Sequence, residues 1–188
     1  MIGTLRTPGA MPSRSPRSLI HRSRRTSILG SPRALILILA CALAPTVFAQ
    51  GLRLARNLAT EARAAANARV PLVIFFSQPD CDYCERARRD YLEPMVAQPG
   101  ANAHFRLVEV DITSGAPLVG FDGRKLTQAF FARDQNVRIV PTLAFLGAQG
   151  ESLAEPLVGL TVPDFYQSYI DRRIEQARAR LAPRPAGS

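Results

Sequence analysis

Cys81 and Cys84 stand in "FFSQPDCDYCERARR" (75–89) with two residues between them. Four chemistries use cysteines so spaced: a structural disulfide, a metal site, covalent haem attachment, or reversible dithiol exchange. A disulfide across so short a loop removes little freedom from the unfolded chain, so stapling is the weakest reason for it. A closed zinc site wants four nitrogen or sulfur ligands. From residue 50 onward the chain offers two cysteines and one histidine, His104, so the set is incomplete. His104 itself reads as a surface residue where a strand begins. Covalent haem attachment needs a histidine directly after the second cysteine, where Glu85 stands. Dithiol exchange remains. The rival is a redox-inactive or metal-handling binding module, in which the two thiolates hold copper(I) or zinc together with a partner's ligands.

Exchange needs a scaffold that exposes one thiol and keeps the other within reach. "VPLVIFFS" (70–77) is a continuous apolar, β-branched and aromatic run between Pro71 and Pro79, the pattern of a strand buried on both faces. "CERARRDYLE" (84–93) puts Cys84, Ala87 and Tyr91 on one face at helical spacing, and Pro94 ends or bends that helix. The cysteines therefore fall at a strand-to-helix junction.

The flanking elements follow from the same periodicities. "LRLARNLATEARAAANA" (52–68) predicts an alanine-rich helix, "HFRLVEVDI" (104–112) a strand, and "GRKLTQAFFARD" (123–134) a helix. "VRIVPTLAFLGAQGE" (137–151) is a strand interrupted by Pro141 and closed by a turn, and "EPLVGL" (155–160) is its short partner. The stretch from Val162 to Ala182 is a long amphipathic helix, with Phe165, Tyr169 and Ile174 as core candidates.

A CxxC after an apolar strand, with "VPT" about sixty residues later, resembles the thioredoxin superfamily. Within it the chain is similar to the exported, periplasmic thioredoxin-related group that includes sulfur-oxidation-linked members. "CDYC", "VEVDI", "GFDGRKLTQAF", "VRIVPTLAFLGAQGE" and "LVGLTVPDFYQSYI" carry the resemblance, which covers about residues 55–180. It implies an α/β fold: a three-layer α/β/α sandwich with a central mixed sheet, here with an added N-terminal helix. It also implies that Cys81 is the exposed nucleophile and Cys84 the resolving thiol, with no bound cofactor and no metal. Elementary physics agrees, since a cysteine at a helix N-terminus faces unpaired amides and the positive end of the dipole, which favour the attacking thiolate. By the same resemblance Pro141 is a cis-proline facing the cysteines, and the backbone of Val140 pairs with a substrate strand. An ordinary edge-strand proline is the alternative.

Departures from that pattern matter. Thioredoxins proper have tryptophan before the first cysteine and Gly-Pro between the two; here Asp80 takes the first place and Asp82-Tyr83 the second. They also carry a buried aspartate six residues before the nucleophile, where this chain has Phe75. No obvious general base replaces it. Glu85 is the nearest, though a first-turn acid is more often a helix-dipole partner.

The formal charge of +9 raises the prospect of a nucleic-acid partner, and its distribution removes it. Residues 1–49 hold seven arginines and no acid, while residues 50–188 hold seventeen basic and fifteen acidic groups. That basic stretch runs into "ALILILACALAPTVFAQ", too short to span a bilayer, with Val47 and Ala49 suited to the −3 and −1 positions of a signal-peptidase site. The expected organisation is a signal peptide over 1–49, a thioredoxin-like domain over 50–182 and a loose tail over 183–188. Met11 is a second candidate start, "SRRTSIL" offers a twin-arginine alternative, and an uncleaved anchor or a lipid on Cys41 are rival fates of the segment. The expected setting is the periplasm and the expected state a monomer. The expected partners there are cysteine-containing proteins and a separate redox partner.

The direction of exchange turns on two opposed effects. The helix end favours the Cys81 thiolate, whereas Asp80 and Asp82 disfavour a second anion beside them. Arg86, Arg88 and Arg89 lie on the helix body, where surface charges couple weakly. Cys81 is therefore expected to titrate nearer about 7 than about 3.5. The pair then falls on the reducing side, roughly −200 to −280 mV.

Overall fold

The computed structural model describes residues 52–182. The expected signal segment with Cys41, and the tail from 183, lie outside the described residues.

The organising element is β1 (Leu72–Ser77), all six of whose residues are buried. Val73 and Phe75 face one layer, while Leu72, Ile74 and Phe76 face the other. A strand with two apolar faces must be covered twice, and each large side chain removed from water contributes about 1.5–3 kcal/mol. Its neighbours are β2 (Arg106–Asp111), parallel to it, and β5 (Thr142–Leu146), antiparallel. β6 (Ser152–Val158) completes a four-stranded mixed sheet in the order β2-β1-β5-β6. A parallel neighbour requires a crossover, and here the crossover carries the cysteines.

On one face lie α2 (Asp82–Ala87), a π-helical turn (Arg88–Leu92), α3 (Glu93–Ala97) and α5 (Pro163–Leu181), packed through Cys84, Ala87, Leu92, Tyr166 and Ile170. On the other lie α1 (Leu58–Ala68) and α4 (Gln128–Asp134), packed through Leu58, Ala62 and Phe131. This is the expected three-layer sandwich, with the added helix at its N-terminal side.

Several boundaries differ from expectation, each for a local reason. The first helix starts at Leu58, not Leu52, because Asn57 is extended and its side chain accepts the amide of Thr60 as an N-cap. The residues before it run beside the sheet instead, with Leu54 bridging to Glu109. Gly123 turns at φ 82°, so "GRKLT" does not continue a helix but forms β4 (Lys125–Thr127), paired with β3 (Pro117–Val119). Thr127 then caps α4 through the amide of Phe130. Pro94 does not end its helix. The amide of Glu93 reaches back to the carbonyl of Arg88, a widened turn that lets the chain pass a residue with no N–H to give. Only the part of "VRIVPTLAFL" after Pro141 is strand. In α5 the buried stripe is Tyr166, Ile170, Ile174 and Ala177. Phe165, expected in the core, is 58% exposed, because it lies one position off that stripe.

Candidate active site

β1 delivers the chain to the carboxyl edge of the sheet, where residues 78–81 turn into α2. Asp80 makes the turn in the left-handed region at φ 53°, a conformation that aspartate tolerates better than most residues. Cys81 is itself the N-cap of α2, and its sulfur accepts the amide of Cys84 at 3.1 Å. Cys81 and Cys84 form a disulfide, with Cα atoms 5.2 Å apart. The two sulfurs are not equivalent. Cys84 is fully buried in the layer with Phe75 and Tyr166, while Cys81 is only partly buried at its edge. Asp82 and Tyr83 between them are exposed, Tyr83 by 63%.

The Val140–Pro141 peptide is cis. Phe76 pairs with Thr142, so Pro141 enters β5 at the sheet end where β1 runs out toward Cys81. The sequence thus places four candidate residues, and the fold brings all four to one end of the sheet. Pro141 is buried and Val140 partly so. The Pro141 carbonyl accepts the Gly159 amide at 2.7 Å, and the Thr142 hydroxyl donates to the Ile139 carbonyl at 2.7 Å. Among the described residues no backbone group hydrogen-bonds Val140.

The arginines that follow the motif are all paired. Arg86 lies 3.6 Å from Asp90, and Arg89 lies 2.8 Å from the same carboxylate. Arg88 reaches both Glu85 and Glu109. Partial burial works against the Arg88 cation, yet the bonds to Glu109 and Glu85 outweigh it and raise its pKa above the ordinary arginine value. His104 is exposed and stands 3.2 Å from Arg178 on α5.

Sequence reasoning missed a buried acid. Glu109 on β2 is 6% exposed and accepts hydrogen bonds from Ser77 and Arg88. It pairs in register with Phe75, which stands where thioredoxins proper carry an aspartate. A signal existed: in "HFRLVEVDI" the alternation puts residue 109 in line with Leu107, so it faces the cysteine layer.

A thiolate at a helix N-terminus, with a buried partner thiol one turn behind, performs thiol–disulfide exchange. A profile of the family described as Thioredoxin-like domain matches residues 58–173. No curated protein matches the sequence significantly. Among solved structures, thioredoxin f from spinach chloroplast is 18% identical over 68% of this chain and 95% of its own, with a TM-score of 0.46. Mitochondrial thioredoxin 3 from Saccharomyces cerevisiae, in its oxidised form, is 19% identical over 66% of this chain and 93% of its own, with a TM-score of 0.44. The family match and the CxxC at the head of α2 agree: this chain belongs to the Thioredoxin-like domain family and is a thiol–disulfide oxidoreductase.

Proposed function

We propose that the protein works after export, in the periplasm, and reduces disulfides of partner proteins there. The observation that carries the exchange is the asymmetry of the pair: Cys81 is at the edge and caps α2, and Cys84 is buried. In the reduced state the Cys81 thiolate attacks one sulfur of a partner disulfide. A Cys81–partner bond forms, the partner's own disulfide breaks, and its other sulfur leaves as a thiolate that takes a proton from water. Cys84, having lost its proton, then attacks the Cys81 sulfur. The intramolecular disulfide closes and the second partner thiolate departs. Two electrons pass to the partner, the chain ends oxidised, and a separate dithiol must reduce it again.

The Val140 backbone is assigned to the partner's strand, since its hydrogen-bonding groups are uncommitted within the described residues. The reducing direction is supported by Asp80 and Asp82 on either side of Cys81, and by the pairing of Arg86, Arg88 and Arg89 with acids, which leaves little net positive charge to offset them. Export is supported by the sequence alone: the arginine-rich segment, the short apolar run and the small residues before Gln50.

Insulin reduction driven by dithiothreitol tests the activity. The protein should accelerate it and Cys81→Ser should abolish the acceleration; a protein that retains stoichiometric copper or zinc and leaves insulin untouched would be the binding module instead.

A further inference from the structure

Glu109 is, among the described residues, the one charged side chain that is buried, and nothing in the exchange steps above uses it. A single carboxylate oxygen, Oε1, accepts both from the hydroxyl of Ser77 and from the guanidinium of Arg88. Ser77 ends β1, four residues before Cys81. Arg88 follows α2, and its backbone amide donates to the carbonyl of Cys84. One acid on a neighbouring strand therefore ties together both ends of the segment that carries the cysteines. The guanidinium also lies 5.7 Å from the centre of the Phe75 ring, whose side chain is fully buried. Charges set among apolar groups are screened far less than surface charges. Well-packed apolar residues would hold such a position without loss of stability, so stability alone does not account for the pair.

We propose that the Arg88–Glu109 pair sets the redox potential of the Cys81–Cys84 couple, with Glu109 as the positioning residue that holds and neutralises the cation of Arg88, a residue one helical turn after Cys84 in the chain. This rests on the exchange reading above. Reduction of the pair consumes two glutathione thiols and yields one glutathione disulfide, and it converts two neutral sulfurs into a dithiol that readily gives up a proton. A free positive charge nearby stabilises that ionised reduced state; a free negative charge opposes it. With an effective dielectric constant of about 20, a unit charge about 10 Å away shifts such an equilibrium on the order of tenfold. Glu85 compensates Arg88 poorly when Glu109 is gone, because its side chain is 61% exposed.

Equilibration of the protein with mixtures of reduced and oxidised glutathione, at pH 7, tests this on four proteins: wild type, Glu109→Gln, Arg88→Met and the double variant. The neighbouring Asp80, Asp82, Glu85, Arg86, Arg89 and Asp90 are common to all four, so their effects cancel. Glu109→Gln should shift the equilibrium toward the dithiol by threefold to tenfold, where tenfold corresponds to about 30 mV. Arg88→Met should shift it the other way, and the double variant should return to within about twofold of wild type. Thermal melts of each variant accompany the titrations. Should one single variant fail to fold, the other single and the double still decide, since a purely structural pair predicts no return. Singles that move in the same direction, or singles that do not move, overturn the proposal. A wild type that does not equilibrate with glutathione overturns the exchange reading instead. Iodoacetamide labelling of Cys81 in the reduced proteins then tests the charge effect separately: faster in Glu109→Gln and slower in Arg88→Met if it holds, equal in all four if it does not.

Discussion

Reducing the Cys81–Cys84 disulfide should lower the stability of the domain by no more than about 2 kcal/mol. The cross-link joins residues with a sequence separation of 3, so it closes a very small loop in the unfolded chain. The entropy that such a loop withholds from the unfolded state is about 6 cal/mol/K, or roughly 1.9 kcal/mol at 25 °C. Against it stands the reduced state's own gain. The Cys84 amide already points at the Cys81 sulfur at 3.1 Å, and a negative charge at a helix N-terminus is worth about 0.3–1 kcal/mol. The net difference is then about 1–2 kcal/mol in favour of the oxidised form. The layer around Cys84 does not need the bond: Val73, Phe75, Leu143, Phe145, Tyr166 and Ile170 are all buried there. Urea unfolding of the oxidised and dithiothreitol-reduced protein, compared at equal m values, measures the difference. A loss above about 4 kcal/mol, or a reduced chain unfolded at 25 °C, would make the bond a structural staple and defeat the account of exchange. The sign carries further information. By the thermodynamic cycle, an oxidised form that is the more stable marks a reductant, and a reduced form that is the more stable marks a disulfide donor.

Replacing Asp80 and Asp82 together by asparagine removes two negative charges beside Cys81 and should raise the potential by about 15–30 mV, a threefold to tenfold change against glutathione; no change would remove these acids from the explanation of direction. Tyr91 donates from its hydroxyl to the Pro163 carbonyl at 2.9 Å, so Tyr91→Phe should cost about 1 kcal/mol in denaturant titration. Its edge-to-face neighbour Tyr166 is buried and, among the described residues, its hydroxyl has no hydrogen-bond partner, so Tyr166→Phe should leave stability unchanged or raise it by up to about 1 kcal/mol. Burial, followed by the proximity of Tyr91, raises the Tyr166 pKa above the usual tyrosine value. The unfolded chain therefore ionises there first, from about pH 10, and stability falls as pH rises beyond that point. Melting curves at pH 7 and pH 11 should show a smaller alkaline loss in Tyr166→Phe than in wild type.

The central strand and the cysteine junction were legible because each depends on a run of residues whose period admits one solution. "LVIFFS" has no polar face, so it can only lie at the centre of a covered sheet, and the cysteines directly after it must fall at its exit. What was not legible depends on contacts between elements. "GRKLTQAFFARD" carries enough helical periodicity to hide the strand at its start, because the pairing of Lys125–Thr127 with Pro117–Val119 is a tertiary fact. Phe165 is the more apolar of two adjacent aromatic residues, and only the direction from which α5 meets the sheet decides that Tyr166 goes in. Glu109 was passed over for a related reason. An acid at an inward strand position is tolerable only with partners, and those partners, Ser77 and Arg88, lie 32 and 21 residues away in sequence.

The roles assigned to the two sulfurs are tested most directly by mixing reduced Cys84→Ser protein with a small protein disulfide and mapping the covalent product by mass spectrometry. The account predicts a mixed disulfide that accumulates through Cys81 and does not resolve, while the reduced Cys81→Ser protein, whose remaining thiol is buried, forms none. A product through Cys84 in the Cys81→Ser protein, at a comparable rate, would contradict it.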